Sequence, residues 1–210
     1  MSDSRESDRT RRAFLRTLAL TPFVLAPPAL IGLTRKSTGT AGPPRLAPTP
    51  ACDDDDEPTI AQTEGPFFKP RSPERRTLLE PGLAGTTLVV SGVVLTRSCK
   101  PVANALLDFW QADDGGVYDN EGFRLRGHQF ADAKGAFQLE SIVPGLYQGR
   151  TRHVHVKVQA PDRRPLTTQL YMPGERANAR DGLFRPALLL RNVTNGTRVQ
   201  GGFEFILDLP

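Results

Sequence analysis

From Thr59 onward, apolar residues come in short runs, many alternating with polar ones, and Gly, Pro and Asn-Gly cut the runs apart. A period of two marks a strand with one buried face, and Gly and Pro mark the turns between strands. The pattern predicts strands from Thr86 to Leu95, Asn104 to Gln111, Gly135 to Ile142, Arg152 to Gln159, Thr167 to Tyr171, Ala187 to Asn192 and Gly202 to Leu209. Pro101 and Pro144 fall in connections, and Asn195-Gly196 fits a tight hairpin turn before the last strand. The one helical signal after residue 60 is a short turn around Ser72 to Arg76. No repeat recurs at solenoid or propeller spacing. The expected fold is all-β, a β-sandwich core of about seven or eight strands with long loops.

Composition agrees with that pattern. Nineteen Gly and nineteen Pro in 210 residues are turn-rich and argue against a helical bundle or coiled coil. Two Cys are too few for a disulfide scaffold or a four-thiolate metal site. The formal charge of +4 would hint at nucleic acid if it were spread over the body, but it is not. Residues 1–41 hold seven basic and three acidic side chains, which leaves twenty of each in residues 42–210. A neutral body gives phosphates no concentrated basic face, so no nucleic-acid partner is expected.

The basic N-terminus has another use. Arg11-Arg12-Ala13-Phe14-Leu15 precedes an apolar stretch from Thr17 to Leu33 and then small residues and prolines, which resembles a twin-arginine export signal. Pro22, Pro27 and Pro28 interrupt the stretch and leave it short of the about 20 apolar residues a spanning helix needs, so no stable membrane span is expected. The chain then divides into a signal segment at 1–41, an acidic and Pro-rich leader at 42–62 and a β-sandwich domain at 63–210. The expected destination is periplasmic or extracellular. In that oxidising setting Cys52 and Cys99 could pair, or stay as two unrelated thiols. The run Asp53 to Glu57 reads as a solvated leader, since it lacks the alternating spacing of a calcium loop.

The chemistry concentrates in Arg150-Thr151-Arg152-His153-Val154-His155. On a strand, residues two apart share a face, so His153 and His155 project together while Val154, Val156 and Val158 point the other way. Two imidazoles addressing one point can ligate a metal, or can be two satisfied histidines on a half-buried strand. Tyr118 and Tyr147, two of the three tyrosines, flank Gly-containing turns at strand ends. Phenolate oxygens with neutral imidazoles suit a hard trivalent ion better than zinc with thiolates. His128 reads as a loop residue ordering the Arg126 turn, Trp110 as core on the face opposite Asp108, and Arg152 as a solvent-exposed strand residue.

These motifs, in order, resemble the intradiol ring-cleavage dioxygenases. The resemblance runs from Thr63-Glu64-Gly65-Pro66-Phe67-Phe68 through Pro101 to Tyr118, Arg126-Gly127-His128-Gln129, Pro144-Gly145-Leu146-Tyr147 and Arg150 to His155, ending at Thr167-Thr168-Gln169-Leu170. It implies a mononuclear Fe(III) ligated by Tyr118, Tyr147, His153 and His155, with Tyr147 leaving to act as base. It also implies that Arg150 and Gln169 offset charge on the substrate, and that Gly65 and Pro66 edge the pocket. The implied partners are a catechol-type substrate and O₂, and the implied product is a cis,cis-muconate-type dicarboxylate. Only five residues separate Tyr147 from His153, fewer than in the well-studied members, so their specificity does not carry over. No helical dimerisation domain precedes the sandwich, although an oligomer is compatible with the sequence. Two other readings stand beside this one: a non-catalytic β-sandwich binding module for aromatic ligands, and a hydrolase with a different metal at His153 and His155.

Overall fold

The computed structural model describes residues 57–210. The expected signal segment, the expected leader up to residue 56 and Cys52 lie outside the described residues. Cys99 is disulfide-bonded. None of the described helices is long and apolar enough to cross a membrane.

Eight strands form two four-stranded sheets: β1 (Thr87–Thr96), β2 (Leu106–Trp110), β3 (Arg126–Phe130), β4 (Ala136–Ile142), β5 (His153–Gln159), β6 (Leu166–Tyr171), β7 (Arg191–Asn195) and β8 (Val199–Leu207). One sheet has the order β4-β1-β8-β7 and the other β3-β2-β5-β6. All pairs are antiparallel except β1 with β8. The alternation works as the sequence requires. Val154, Val156 and Val158 of β5 join Leu107 and Phe109 of β2, Leu88 and Val90 of β1, Leu139 of β4 and Phe205 of β8 in one core.

Five local expectations need correction. A strand at Arg126–Phe130 replaces the expected loop, so His128 is a strand residue. The region around Ser72 to Arg76 is not helical: Arg75 N–H bonds the His128 carbonyl at 2.8 Å, an extended edge contact. Short 3-10 turns lie instead at Arg176–Arg180 and Pro186–Leu188, where Pro186 takes the first turn and delays the strand to Arg191. The last hairpin has a three-residue loop, Gly196 to Arg198, rather than a two-residue one. Trp110, finally, does not pack in the core opposite Asp108. The two residues are separated by one position on β2 and share its outer face, where Trp110 clusters with Ala112 and Tyr118.

A strap at 57–78 crosses that outer face. Its Thr59 N–H bonds the Ile206 carbonyl at 2.9 Å, Gln62 N–H the Thr167 carbonyl at 2.8 Å, and Leu78 N–H the Glu140 carbonyl at 2.7 Å. The strap is therefore tied to both sheets and roofs the second one.

Candidate metal centre

Sheet register assembles the site. Arg126, Trp110, His155 and Gln169 occupy one cross-strand row through β3, β2, β5 and β6, and His153 with Tyr171 occupies the next. Residues opposite one another across a ladder lie within side-chain contact. Trp110 accordingly stacks on His155 with ring centroids 4.8 Å apart and an interplanar angle of 8°.

The two tyrosines arrive on turns packed backbone to backbone. Gly145 N–H bonds the Asp113 carbonyl at 2.7 Å, and Gly116 at φ +83° lies against the Leu146 carbonyl. A Cβ on Gly145 would stand 2.3 Å from Gly116 N, so no larger residue fits without moving a chain. Tyr118 and Tyr147 then meet edge to face at 5.5 Å. Phe67 of the strap stacks on Tyr118 at 4.3 Å and meets Tyr147 edge-on at 5.2 Å. Arg126, almost fully buried, donates to the Phe67 carbonyl at 2.5 Å and the Asp119 carbonyl at 2.9 Å, so its side chain anchors both flanks of Tyr118. Burial lowers its pKa, with Asp119 opposing. Gly65 at φ +70° borders His155, where an added Cβ would be 3.5 Å from Cε1; Pro66 follows in an exposed turn.

Three donors converge. Tyr118 Oη is 3.3 Å from His153 Nε2, which is 3.2 Å from His155 Nε2. His153 Nδ1 is 2.6 Å from the Thr151 carbonyl, and donation there leaves the lone pair on Nε2. Burial lowers the pKa of His153 to about 4 and that of His155 well below the ordinary value, so both imidazoles are neutral at pH 7. Burial also raises the pKa of Tyr118, with Arg150 opposing, so its phenolate form calls for a neighbouring cation. Tyr147 is half-buried, and its phenol has no hydrogen-bond partner among the described residues.

The fit to a metal ion can be judged from these distances. Donors about 2.1 Å from a shared ion, at angles a little over 90°, stand roughly 3.0–3.3 Å apart, which matches the observed separations. The described residues contain no cluster of three or more His, Cys, Asp or Glu side chains that could hold a metal, so a centre here depends on phenols. Neutral imidazoles with phenol oxygens fit a hard ion, and the residues present fit iron.

Arg150 adjoins the donors. Its Nε donates to the Asp181 carboxylate at 2.9 and 3.1 Å, and its Nη2 to Gln169 Oε1 at 2.6 Å. Gln169 is fully buried, receives the Tyr171 hydroxyl at 3.0 Å and donates to the Thr63 carbonyl at 3.0 Å, so it orients the guanidinium. Burial raises the Tyr171 pKa to about 12. Sequence reasoning missed Asp181 and Tyr171. Tyr171 could have been found by parity, two residues from Gln169 on a strand, whereas Asp181 follows a 3-10 turn with no motif. His128 is elsewhere, 3.1 Å from Ser72 Oγ through Nδ1. Arg152 is not free in solvent: it pairs with Glu175 at 3.0 Å and donates to the Pro144 carbonyl at 2.5 Å.

Comparisons with known proteins identify the family. A family model described as Dioxygenase matches residues 63–189, more than half the chain. Hydroxyquinol 1,2-dioxygenase of Nocardioides simplex is 30% identical over 60% of this chain and 51% of its own length. Catechol 1,2-dioxygenase 2 of Acinetobacter lwoffii is 33% identical over 64% of this chain and 61% of its own. The chain thus spans about half to three fifths of the length of these relatives. Among solved structures, the dioxygenase domain of a dioxygenase carbohydrate-binding protein fusion from the cellulolytic bacterium Streptomyces sp. SirexAA-E superposes with TM-score 0.71 and 57% identity, covering 73% of this chain and all of that one. The 3-chlorocatechol 1,2-dioxygenase of Rhodococcus opacus 1CP gives TM-score 0.66 and 26% identity over 70% of this chain and 71% of that one. With a family-model match over residues 63–189, relatives named for ring-cleaving dioxygenases and the same sandwich, the chain belongs to the intradiol ring-cleavage dioxygenase family.

Proposed function

We propose that the chain cleaves a catechol-type ring between its two hydroxylated carbons, using O₂ and an Fe(III) held by Tyr118, Tyr147, His153 and His155, to give a cis,cis-muconate-type dicarboxylate. The observation that carries this reading is the convergence of Tyr118 Oη, His153 Nε2 and His155 Nε2 at 3.2–3.3 Å, all three side chains buried, with the Arg150 guanidinium alongside. The family generally uses non-haem iron, which supports the assignment. Bound ferric iron would acidify the catechol hydroxyls and make the ring reactive toward O₂.

The protein's own groups do the rest. Tyr147, the least constrained donor, gives way and takes a catechol proton on its Oη. Trp110 and Phe67 wall the donors with rings and exclude water, which strengthens charge interactions in the pocket. Gly65 leaves room beside His155 for the substrate, with Pro66 at the rim. Arg150 Nη1 has no partner among the described residues and is the donor left to stabilise negative charge on the attacked ring carbon. Gln169 holds that guanidinium in place. A binding module has no need of both tyrosines and the braced arginine, so it is the weaker reading. Incubation of the iron-loaded protein with catechol under ¹⁸O₂ is the test. A ring-opened dicarboxylate carrying both labelled atoms is expected, and a singly labelled or intact-ring product would overturn the proposal.

A further inference from the structure

We propose that Asp181 is a positioning residue that sets the Arg150 guanidinium with one buried carboxylate. The inference rests on the ring-cleavage reading and adds a residue to its machinery. The Asp181 side chain is 1% exposed and receives four contacts. Oδ2 accepts from Arg150 Nε and from Thr151 N–H, each at 2.9 Å; Oδ1 accepts from Arg150 Nε at 3.1 Å and from Leu183 N–H at 2.9 Å. The carboxylate thereby grips two consecutive residues, Arg150 and Thr151, whose functions diverge. Arg150 faces the substrate charge, and Thr151 presents the carbonyl that accepts from His153 Nδ1 at 2.6 Å.

The segment that carries Asp181 is itself fixed. Thr151 Oγ1 donates to Asn178 Oδ1 at 2.6 Å, Asn178 Nδ2 donates to the Met172 carbonyl at 3.0 Å, and Asp181 N–H bonds the Ala177 carbonyl at 3.1 Å. Burial pushes the Asp181 pKa up, but the Thr151 and Leu183 amides and Arg150 outweigh it and hold the pKa below its ordinary value. The group is an anion at working pH, opposite a cation that has no other carboxylate within ion-pair distance among the described residues. Partners of this kind, one step removed from a reacting or ligating group, typically change affinity or activity about 10–100-fold when lost. The short 3-10 turn at Arg176–Arg180 thus has a use the sequence does not reveal: it delivers an anion to the base of β5.

A double-mutant cycle on the iron-loaded enzyme tests this. Asp181→Asn keeps the shape and removes the charge; the expected result is a fall in kcat of about 10–100-fold. Anaerobic catechol titration of the visible spectrum should meanwhile give a Kd within a few-fold of wild type. In an Arg150→Lys background the same substitution should cost less than about 3-fold, because the residue it acts through has already been changed. Asp181→Glu, which keeps the charge, should recover part of the kcat. A full loss repeated in the Arg150→Lys background, or a wild-type kcat in Asp181→Asn, would overturn the assignment. Failure of both Asp181 variants to fold would also overturn it, by marking the residue as a folding determinant. An unmodified enzyme that does not turn over catechol overturns the ring-cleavage reading instead, so the two failures are distinguishable.

Discussion

Burial fixes the protonation of the two histidines, and that has a measurable consequence for stability. Desolvation first, with the Arg150 charge adding to it against the Thr151 carbonyl and Asp181, lowers the His153 pKa from 6.5 to about 4. The unfolded chain binds its proton near 6.5 while the folded chain does not, so His153 contributes stability that is present above pH 6.5 and lost as the pH falls toward 4. For the metal-free protein the loss should be on the order of 2–4 kcal/mol, and His155 adds in the same direction. Thermal melts from pH 7 to 4.5 check it: His153→Gln should show a shallower fall than wild type, and parallel curves would contradict the account. At this scale much of the site was legible. Tyr118, Tyr147, Arg150, His153, His155 and Gln169 come from ordered motifs, and strand parity alone puts both histidines on one face. Asp181 was not legible as a partner, because its link to Arg150 is made in space across 31 positions of chain and no motif marks it.

Register and close backbone contact do the positioning at the level of elements. The row Arg126, Trp110, His155 and Gln169 exists because four strands align in one register; a slip of a single residue in β5 would turn both histidines into the core and the valines outward. The tyrosine-bearing turns depend on Gly116 and Gly145 in the same way. Gly145→Ala would drive a Cβ to 2.5 Å from the Asp114 carbonyl oxygen, and backbone cannot yield as a flexible side chain can. The expected cost is about 1–3 kcal/mol or more, read as a lower urea midpoint, together with weaker iron retention because Tyr118 and Tyr147 separate. An unchanged midpoint and iron content would show that the turns are not clamped as described. Strand prediction failed where polarity and burial part company. β3 buries Arg126 and Gln129 and exposes Phe130, so its pattern gives no strand signal. The Leu188 to Leu190 run reads as a strand, yet Pro186 starts a 3-10 turn there.

For the whole molecule, the sandwich provides a rigid sheet and the 57–78 strap supplies the roof, bringing Thr63, Gly65 and Phe67 onto a site whose ligating candidates lie 50 to 100 residues away in sequence. The all-β class and the two-sheet core followed from periodicity, because period-two alternation is a direct consequence of one buried face. The strap did not: it has no regular strand and is held by isolated bridges and scattered hydrogen bonds to strands far along the chain. What the assembled molecule offers is a largely buried cluster of two neutral imidazoles and two phenols, which on the proposed reading binds ferric iron through the phenols. The visible absorption spectrum of the purified, iron-loaded protein, recorded before and after adding catechol without oxygen, reads phenolate ligation and substrate binding together. The expected spectrum has a broad phenolate-to-iron charge-transfer band that moves to longer wavelength when catechol binds and is weakened in Tyr118→Phe. A protein that holds iron yet remains colourless, or whose band ignores both catechol and the loss of Tyr118, would contradict that reading.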